Sequence, residues 1–195
     1  MTRPSFAVFG GSFDPPHVGH VLAVTYVLSA LGVDGVIVIP VYRHAFGKDL
    51  ASFEDRFAMC EAAMGWIPRV SISDVEQRLG GESRTLHTLE ALLADEPERD
   101  LRLVIGSDVL PDLPKWYRFE RIRELASPII LGRAGHPHPD APLAVLPEVS
   151  STAIREAFRR GPAPSDRLDA MVPTAVRRHI GEHGLYAHAP ADEPR

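Results

Sequence analysis

The chain has 195 residues, a formal net charge of −5 and a pI near 6.0, which excludes a general nucleic-acid binder but leaves room for a local basic pocket. Hydrophobic residues make up 45% and charged residues 24%, the balance of an ordinary globular chain long enough to bury a full core. A single cysteine, Cys60, excludes a disulfide framework and a cysteine zinc cluster, and the sequence carries no recognisable signal peptide, transmembrane run or lipidation motif, so a cytoplasmic protein is expected.

The predicted elements alternate strand and helix. Phe6 to Phe9 is an apolar strand, followed by a glycine turn at Gly10-Gly11 and a rigid loop from Ser12 to Pro16. A helix runs from near Val18 to Leu31, with Val21, Leu22, Val24, Val27, Leu28 and Leu31 as its apolar face and Gly32 as its stop. Val36 to Pro40 is a continuous apolar strand, as expected where both faces are covered. After a loop from Val41 to Ala51, Ser52 caps a second helix reaching about Trp66, and Arg69 to Ser73 is a third strand. A third helix spans Ser83 to Leu93. A fourth strand, Leu101 to Ile105, ends at Gly106, and Ser107-Asp108 opens a short helix. Phe119 to Ala126 is helical, Pro128 to Leu131 a fifth strand, Arg133 to Pro142 a surface loop, and Leu143 to Leu146 a short sixth strand. Ser150 or Ser151 caps a helix to about Arg160, and Thr174 caps a last one to Glu182.

This alternation predicts an α/β fold: a Rossmann-like, doubly wound, mostly parallel sheet with helices on both faces. One domain is expected over residues 1–186, with a C-terminal helical part from about 150 to 186 and a frayed tail over 187–195. The apolar face of the last helix suits either the core or a second copy of the chain. In such sheets ligands bind beyond the carboxyl ends of the strands, where strand order reverses. The loops after the strands should therefore carry the chemistry.

The first of these loops does. A strand that feeds a helix through glycines presents free backbone N–H groups and the positive end of a helix dipole, which together make an anion site. His17 and His20 lie three residues apart at the helix start and share a face, with Gly19 between them permitting close approach. After the fourth strand, Gly106 allows backbone approach, Asp108 can accept from a ribose or hold a hydrated cation, and Trp116 offers a stacking face. Before the penultimate helix, the hydroxyls of Ser151 and Thr152, with Arg155 one turn further on, suit phosphate oxygens. A capped surface helix with an exposed arginine would look the same in isolation. The G-x-G-x-x-G and G-x-x-x-x-G-K-[ST] fingerprints are both missing, which disfavours a reductase or flavodoxin-like domain and a P-loop.

Gly10-Gly11-Ser12-Phe13-Asp14-Pro15-Pro16-His17-Val18-Gly19-His20 resembles the signature of the nucleotidyltransferases with the HxGH motif. Ile105-Gly106-Ser107-Asp108 with Trp116 resembles the IGSD…W region of bacterial nicotinate-mononucleotide adenylyltransferases, and Ser150-Ser151-Thr152-Ala153-Ile154-Arg155 resembles their SSTxIR element. The resemblance implies adenylyl transfer from ATP to nicotinate mononucleotide, giving nicotinate adenine dinucleotide and pyrophosphate in NAD biosynthesis, by in-line attack without a covalent enzyme intermediate. It implies catalytic roles for His17, His20 and Arg155, and ATP binding by Gly10, Gly11, Ser12, Phe13, His17, His20, Gly106, Asp108, Ser151, Thr152 and Arg155. It implies Mg²⁺ held mainly by ATP phosphates and water, and a tryptophan, here Trp116, stacked on the pyridine ring.

Two stretches depart from the family. The loop Tyr42 to Asp49 replaces a PPHK-like segment, and Lys48 is the candidate for its lysine, with Arg43 or His44 as substitutes; all three also read as solvated loop. Arg56 on the second helix reads as structural or as support for the phosphate loop. Ser83-Arg84-Thr85-Leu86-His87-Thr88-Leu89 resembles the family's SYTxDTL stretch, keeping Thr85 but with Arg84 for tyrosine and His87 for aspartate. Arg84 with Thr85 would suit a carboxylate and favour the acid acceptor over the amide. Two other readings stand beside this one: a sibling transferase acting on nicotinamide mononucleotide or phosphopantetheine, and a non-catalytic nucleotide sensor on the same fold. His136, His138, His179, His183 and His188 read as loop or late-helix residues. His136 and His138 could bind metal, but simple exposure in a loop is the plainer reading.

Overall fold

The computed structural model describes residues 3–44, 47, 49–133, 135–139, 141, 147–160 and 170–187. Lys48, the strand expected over 143–146, and residues 188–195 of the tail, His188 included, lie outside them.

Among the described residues five strands form one parallel sheet: β1 (Ser5–Gly11), β2 (Gly35–Pro40), β3 (Val70–Ile72), β4 (Asp100–Gly106) and β5 (Ala126–Leu131), in the order β3-β2-β1-β4-β5. Successive strand residues point to opposite faces, so each strand feeds two cores. Ala7, Val36, Val38 and Val104 pack on one side, and Val8, Ile37, Ile39, Leu103 and Ile105 on the other. This explains the unbroken apolar run of β2, whose six residues are all buried. The order reverses between β1 and β4, and the crevice opens at their carboxyl ends.

Helix α1 (Val18–Ala30) covers the first core with Ala23, Val24, Val27 and Leu28, and Gly32, at φ +65°, follows its end. Leu22, expected on the apolar face, is instead 41% exposed, because at 100° per residue it falls beyond the buried stripe. Helix α2 (Phe53–Cys60) is capped as expected: the Ser52 hydroxyl accepts the Asp55 N–H at 3.0 Å. A π-helical turn, Glu61–Gly65, extends it to the expected end.

The sequence reading missed a short helix, α3 (Val75–Leu79). Its Glu76 is buried and bridges two elements: one carboxylate oxygen accepts the Tyr42 N–H at 3.0 Å, the other the Thr88 hydroxyl at 3.0 Å. Helix α4 (Thr85–Asp95) starts two residues later than expected, because Ser83 is tied to the preceding loop. Its hydroxyl accepts the N–H groups of Tyr42 and Arg43, and its own N–H donates to the Arg43 carbonyl.

After a 3₁₀ segment (Leu110–Lys115), α5 (Phe119–Leu125) leads directly into β5, which begins two residues earlier than predicted. Helix α6 (Ser151–Arg159) is capped by Ser150, whose hydroxyl accepts the Ala153 N–H at 3.2 Å. The last helix, α7 (Thr174–Glu182), has Pro173 rather than Thr174 at its cap. Its Val176 and Ile180 are buried in the first core with Ile154 of α6, so its apolar face serves the core. Among the described residues no helix is long and apolar enough to cross a membrane.

Leu89 of α4 is fully buried. Leu89→Ala is expected to cost about 2–5 kcal/mol, whereas Leu22→Ala should change stability by about 0.5 kcal/mol or less. Urea denaturation of the two variants checks the pair; equal midpoints would contradict this packing.

Candidate active site

The carboxyl ends of β1 and β4 face a cavity of about 220 Å³ lined by Gly10, His17, Gly19, His20, Gly106, Asp108, Trp116 and Arg133, with apolar walls from Phe9, Ala23, Val104 and Leu131. His17 is the N-cap of α1 and His20 stands in its first turn. Their rings stack at 3.7 Å between centroids and 24° between planes. The His17 backbone N–H donates to His20 Nδ1 at 3.1 Å, which leaves the His20 ring proton on Nε2. His17 Nδ1 is buried and has no hydrogen-bond partner among the described residues.

Both rings are kept neutral. Burial, with the Arg133 charge adding to it, lowers His17 from 6.5 to about 4. Burial, then His17 and then Arg133, pushes His20 well below the same value. The cavity therefore presents neutral imidazole donors beside one full cation.

Gly19 has a reason beyond ligand access. A Cβ there would stand 3.0 Å from His17 Nδ1 and 3.1 Å from a Val149 methyl, so glycine lets the ring fold over α1 and the segment before α6 approach it. Gly106 plays a similar part for Asp108: a Cβ would run into the Asp108 carboxylate, which folds back over the strand end.

The loop before His17 is held from below. Phe13 is buried, with its ring edge-on to His20 at 4.9 Å and to Phe9 at 5.5 Å. Phe13 thus braces the His20 ring and does not line the cavity. Gly11 lies against the Phe13 ring, and the Ser12 carbonyl accepts from Arg56 Nη1 at 3.0 Å. Arg56 is 1% exposed and also donates from Nε to the Ala51 carbonyl at 2.9 Å, so it is a structural tie between α2 and the loop before His17. Asp14 is equally buried. Its Oδ1 accepts the Ala51 N–H at 3.2 Å and the Tyr186 hydroxyl at 2.6 Å, and its Oδ2 faces Arg155 Nη1 at 3.5 Å.

Arg155 and Ser151 also reach this loop. Arg155 Nη1 donates to the Asp14 carbonyl at 2.7 Å, Arg155 Nη2 to Thr152 Oγ1 at 3.4 Å, and the Ser151 hydroxyl to the Pro15 carbonyl at 2.9 Å. Of the three α6 residues expected to meet phosphate, Ser151 and Arg155 thus clamp the loop that carries the histidines, and Thr152 steadies Arg155.

A second cavity, of about 310 Å³, is lined by Arg84, Thr85 and Trp116 together with His44, Glu82, Ser83, Lys115 and Tyr117. Trp116 is common to both cavities. Arg84 lies over the Tyr117 ring at 4.8 Å and pairs with Glu82 at 2.7 Å. His87 is exposed and meets Tyr117 edge-on at 5.9 Å.

Arg133 was read as the start of a surface loop, and the structure corrects this. Arg133 Nη1 donates to Asp108 Oδ2 at 2.9 Å and Nη2 to the Val149 carbonyl at 3.0 Å, while its backbone N–H donates to the Ser107 hydroxyl at 2.9 Å. Its position directly after a strand was the available signal. Asp108 Oδ1 is buried without a hydrogen-bond partner among the described residues. Cys60 is fully buried, which raises its thiol and removes it from any nucleophilic role.

A parallel 3-2-1-4-5 sheet with a histidine pair at the first helix start and an anion-suited crevice defines a nucleotide-binding α/β transferase. The cytidylyltransferase-like family model matches residues 8–157, and the chain belongs to that family. It is 46% identical over 184 residues to a Myxococcus xanthus protein described as a probable nicotinate-nucleotide adenylyltransferase, covering 92% of this chain and 93% of that one. An Anaeromyxobacter relative with the same description is 42% identical, covering 92% and 95%. In three dimensions the fold is similar to that of Plasmodium falciparum nicotinic acid mononucleotide adenylyltransferase complexed with NaAD, with a TM-score of 0.79, 18% identity, and 93% and 97% of the two chains covered.

The neutral state of His17 has a measurable consequence. Above pH 6.5 the ring is neutral in both folded and unfolded chains, so the fold loses nothing to it. As pH falls from 6.5 toward 4 the unfolded chain takes the proton first, so stability declines. His17→Asn should recover about 2 kcal/mol of the stability lost between about pH 7 and pH 5. Urea titrations at the two pH values, with the His17 ring followed by NMR, check this; a ring titrating near 6.5 would overturn it.

Proposed function

We propose that this chain transfers the adenylyl group of ATP to nicotinate mononucleotide, giving nicotinate adenine dinucleotide and pyrophosphate, in the cytoplasm. The observation that carries the reading is the pair of cavities sharing Trp116: one built around neutral His17 and His20 at the end of β1, the other around Thr85 and Arg84 at the start of α4. A dinucleotide product needs two such compartments on either side of the reacting phosphate. Relatives of 42% and 46% identity described as probable nicotinate-nucleotide adenylyltransferases support the same reaction.

In this mechanism the acceptor 5′-phosphate attacks the ATP α-phosphate in line, and no protein group becomes bonded to phosphorus. Catalysis then rests on position and on charge stabilisation. His20, with its proton on Nε2, and His17 donate to the α-phosphate as charge develops. Arg133, with the α1 N–H groups, supplies the fixed positive field. Ser151 and Arg155 hold the loop, and the free guanidinium edge of Arg155, the Thr152 hydroxyl proton and the Ser151 backbone N–H at the start of α6 hold the β and γ phosphates. Asp108 Oδ1, buried and unpartnered, fits a ribose hydroxyl or a water on a cation.

Magnesium suits this site as an ion brought in on the nucleotide. It needs oxygen ligands and keeps much of its water, and the nucleotide cavity offers one carboxylate, Asp108, to receive that water. When bound it would supply positive charge to the phosphates, with Asp108 the residue of this cavity that would hold it through water.

Trp116 gives the pyridine ring a stacking face, and Thr85 with the open N-terminus of α4 suits the nicotinate carboxylate. Arg84 adds charge there, tempered by its pairing with Glu82. Among the described residues of the Tyr42 to Asp49 loop, His44 reaches this cavity. Lys48 stays a proposal from sequence alone.

Pyrophosphate release from ATP and Mg²⁺ with nicotinate mononucleotide, nicotinamide mononucleotide and phosphopantetheine tests the reading. Turnover should favour the first. Preference for another acceptor would move the substrate and keep the mechanism, and ATP binding without release would favour a sensor. His17→Ala and His20→Ala should each lower kcat about 10²–10³-fold with KM for ATP changed little; near-normal turnover would remove them from the chemistry. Arg84→Ala should lower the acid-to-amide preference about tenfold, and an unchanged ratio would assign acceptor choice elsewhere.

A further inference from the structure

His179 and His183 stand four residues apart on α7 and therefore on one face. Both turn toward Asp55 in the first turn of α2. His179 Nε2 lies 3.0 Å and His183 Nδ1 2.7 Å from the same oxygen, Asp55 Oδ1. The three donor atoms fall within 4.8 Å of one another, and the two rings lie 4.0 Å apart between centroids. None of the three residues lines the nucleotide or acceptor cavity.

The carboxylate is set in advance. Its other oxygen, Oδ2, accepts the Ser52 hydroxyl at 2.6 Å, and Ser52 Oγ in turn accepts the Asp55 N–H. Oδ1 is thereby turned toward the histidines, the kind of outer hydrogen bond that orients a metal ligand. The site also has an open side: the Asp55 and His179 side chains are 18% and 16% exposed, but His183 is 48% exposed.

We propose that Asp55, His179 and His183 bind one divalent transition-metal ion of the zinc class, fastening α7 to α2. Two imidazole nitrogens and one carboxylate oxygen suit a borderline ion such as Zn²⁺, and three protein ligands leave a position for water. Mg²⁺ and Ca²⁺ prefer oxygen shells, so the ion that accompanies ATP does not compete here. Bonds of about 2.0–2.1 Å in a tetrahedral shell put neighbouring donor atoms about 3.3 Å apart. Rotation of the rings opens the 2.7 Å and 3.0 Å separations to that value and brings the two imidazole nitrogens, which lie within 4.8 Å of each other, to the same spacing. On binding, His179 Nε2 and His183 Nδ1 give their lone pairs to the ion, and each ring carries its proton on the other nitrogen.

The fastening bears on the transferase site. Tyr186 follows His183 by three residues, and its hydroxyl reaches Asp14 beneath the histidine loop. An ion at this position stabilises the segment that seals that loop without touching substrate.

Metal-stripped protein titrated with Zn²⁺ and, separately, Co²⁺ tests the proposal. One Zn²⁺ per chain is expected at micromolar or tighter Kd, with the visible absorption of four-coordinate Co²⁺. Tm should rise with Zn²⁺ and not with the same concentration of Mg²⁺. His183→Gln should weaken Zn²⁺ binding at least tenfold, and the double variant His179→Gln, His183→Gln should abolish stoichiometric binding while its circular dichroism stays native. Absence of stoichiometric binding by the wild-type chain, or unchanged affinity in the folded double variant, would overturn the site. Because these readouts do not use ATP or acceptor, they stand or fall separately from the transferase reading.

Discussion

A single buried carboxylate, Asp14, organises the catalytic end of this protein. It lies between the glycine turn of β1 and the first histidine, in a loop that has no regular structure of its own. A carboxylate at 1% exposure is costly unless its charge and lone pairs are answered. Here the Ala51 N–H ahead of α2 and the Tyr186 hydroxyl beyond α7 bond to Oδ1, from 37 and 172 residues away, while Oδ2 makes no hydrogen bond among the described residues and faces Arg155 of α6, 141 residues away, as an ion pair at 3.5 Å. Arg56, buried and bonded to the Ser12 and Ala51 carbonyls, supplies opposite charge nearby. One carboxylate thus binds three distant segments to the loop that must hold His17 in place. The C-terminal helices belong to the site through this contact, although they contribute no residue to the first strand–helix turn.

The histidine pair shows why such a rigid loop is needed. Two imidazoles stacked at 3.7 Å, beside Arg133, cannot both be charged, and burial, with the neighbouring charges adding to it, keeps them neutral. A neutral ring binds ground-state phosphate less strongly than an imidazolium would. In the proposed reaction its N–H donors gain most when negative charge grows on the transferring group, which is where stabilisation raises rate. That gain depends on aim. Phe13 behind His20, the His17 N–H on His20 Nδ1, and the absence of a side chain at Gly19 all serve to fix the two rings.

Sequence reading captured what is local. Unbroken apolar runs marked the strands, because strands covered on both faces have no polar side to alternate with. The Gly10 to His20 stretch was legible because its turn, loop and helix start are contiguous, and Ser52 and Ser150 announced helix starts by position. What escaped depends on contacts between distant segments. Helix α3 is five residues long and carries Glu76 inward, a polar residue that reads as surface until Tyr42 and Thr88 are seen to answer it. Arg133 looked like loop until Asp108 and Val149 met it. Arg155 reads from sequence as a phosphate ligand or as an exposed surface arginine, yet part of its guanidinium is engaged by the Asp14 carbonyl. Leu22 sat within an apolar run whose width the pattern overstated. Nothing in the spacing of His179 and His183 points to Asp55, more than a hundred residues earlier.

The chain is acidic overall, yet its proposed substrates carry several phosphates. The resolution lies in range. Beyond about 8–10 Å exposed charges are largely screened, so the net charge of −5 has little say inside a crevice. Within the crevice the groups are Arg133 beside neutral histidines in one cavity, and Arg84, Lys115 and His44 around Trp116 in the other. Each of these arginines and the lysine is paired with a carboxylate: Arg133 with Asp108, Arg84 with Glu82, Lys115 with Asp112. A polyphosphate entering such a site does not meet bare cations. It must compete for guanidinium edges already oriented by their partners, which lowers affinity and improves geometry. For an enzyme that must release a dinucleotide and pyrophosphate after each turn, moderate binding with fixed donors is the more useful combination.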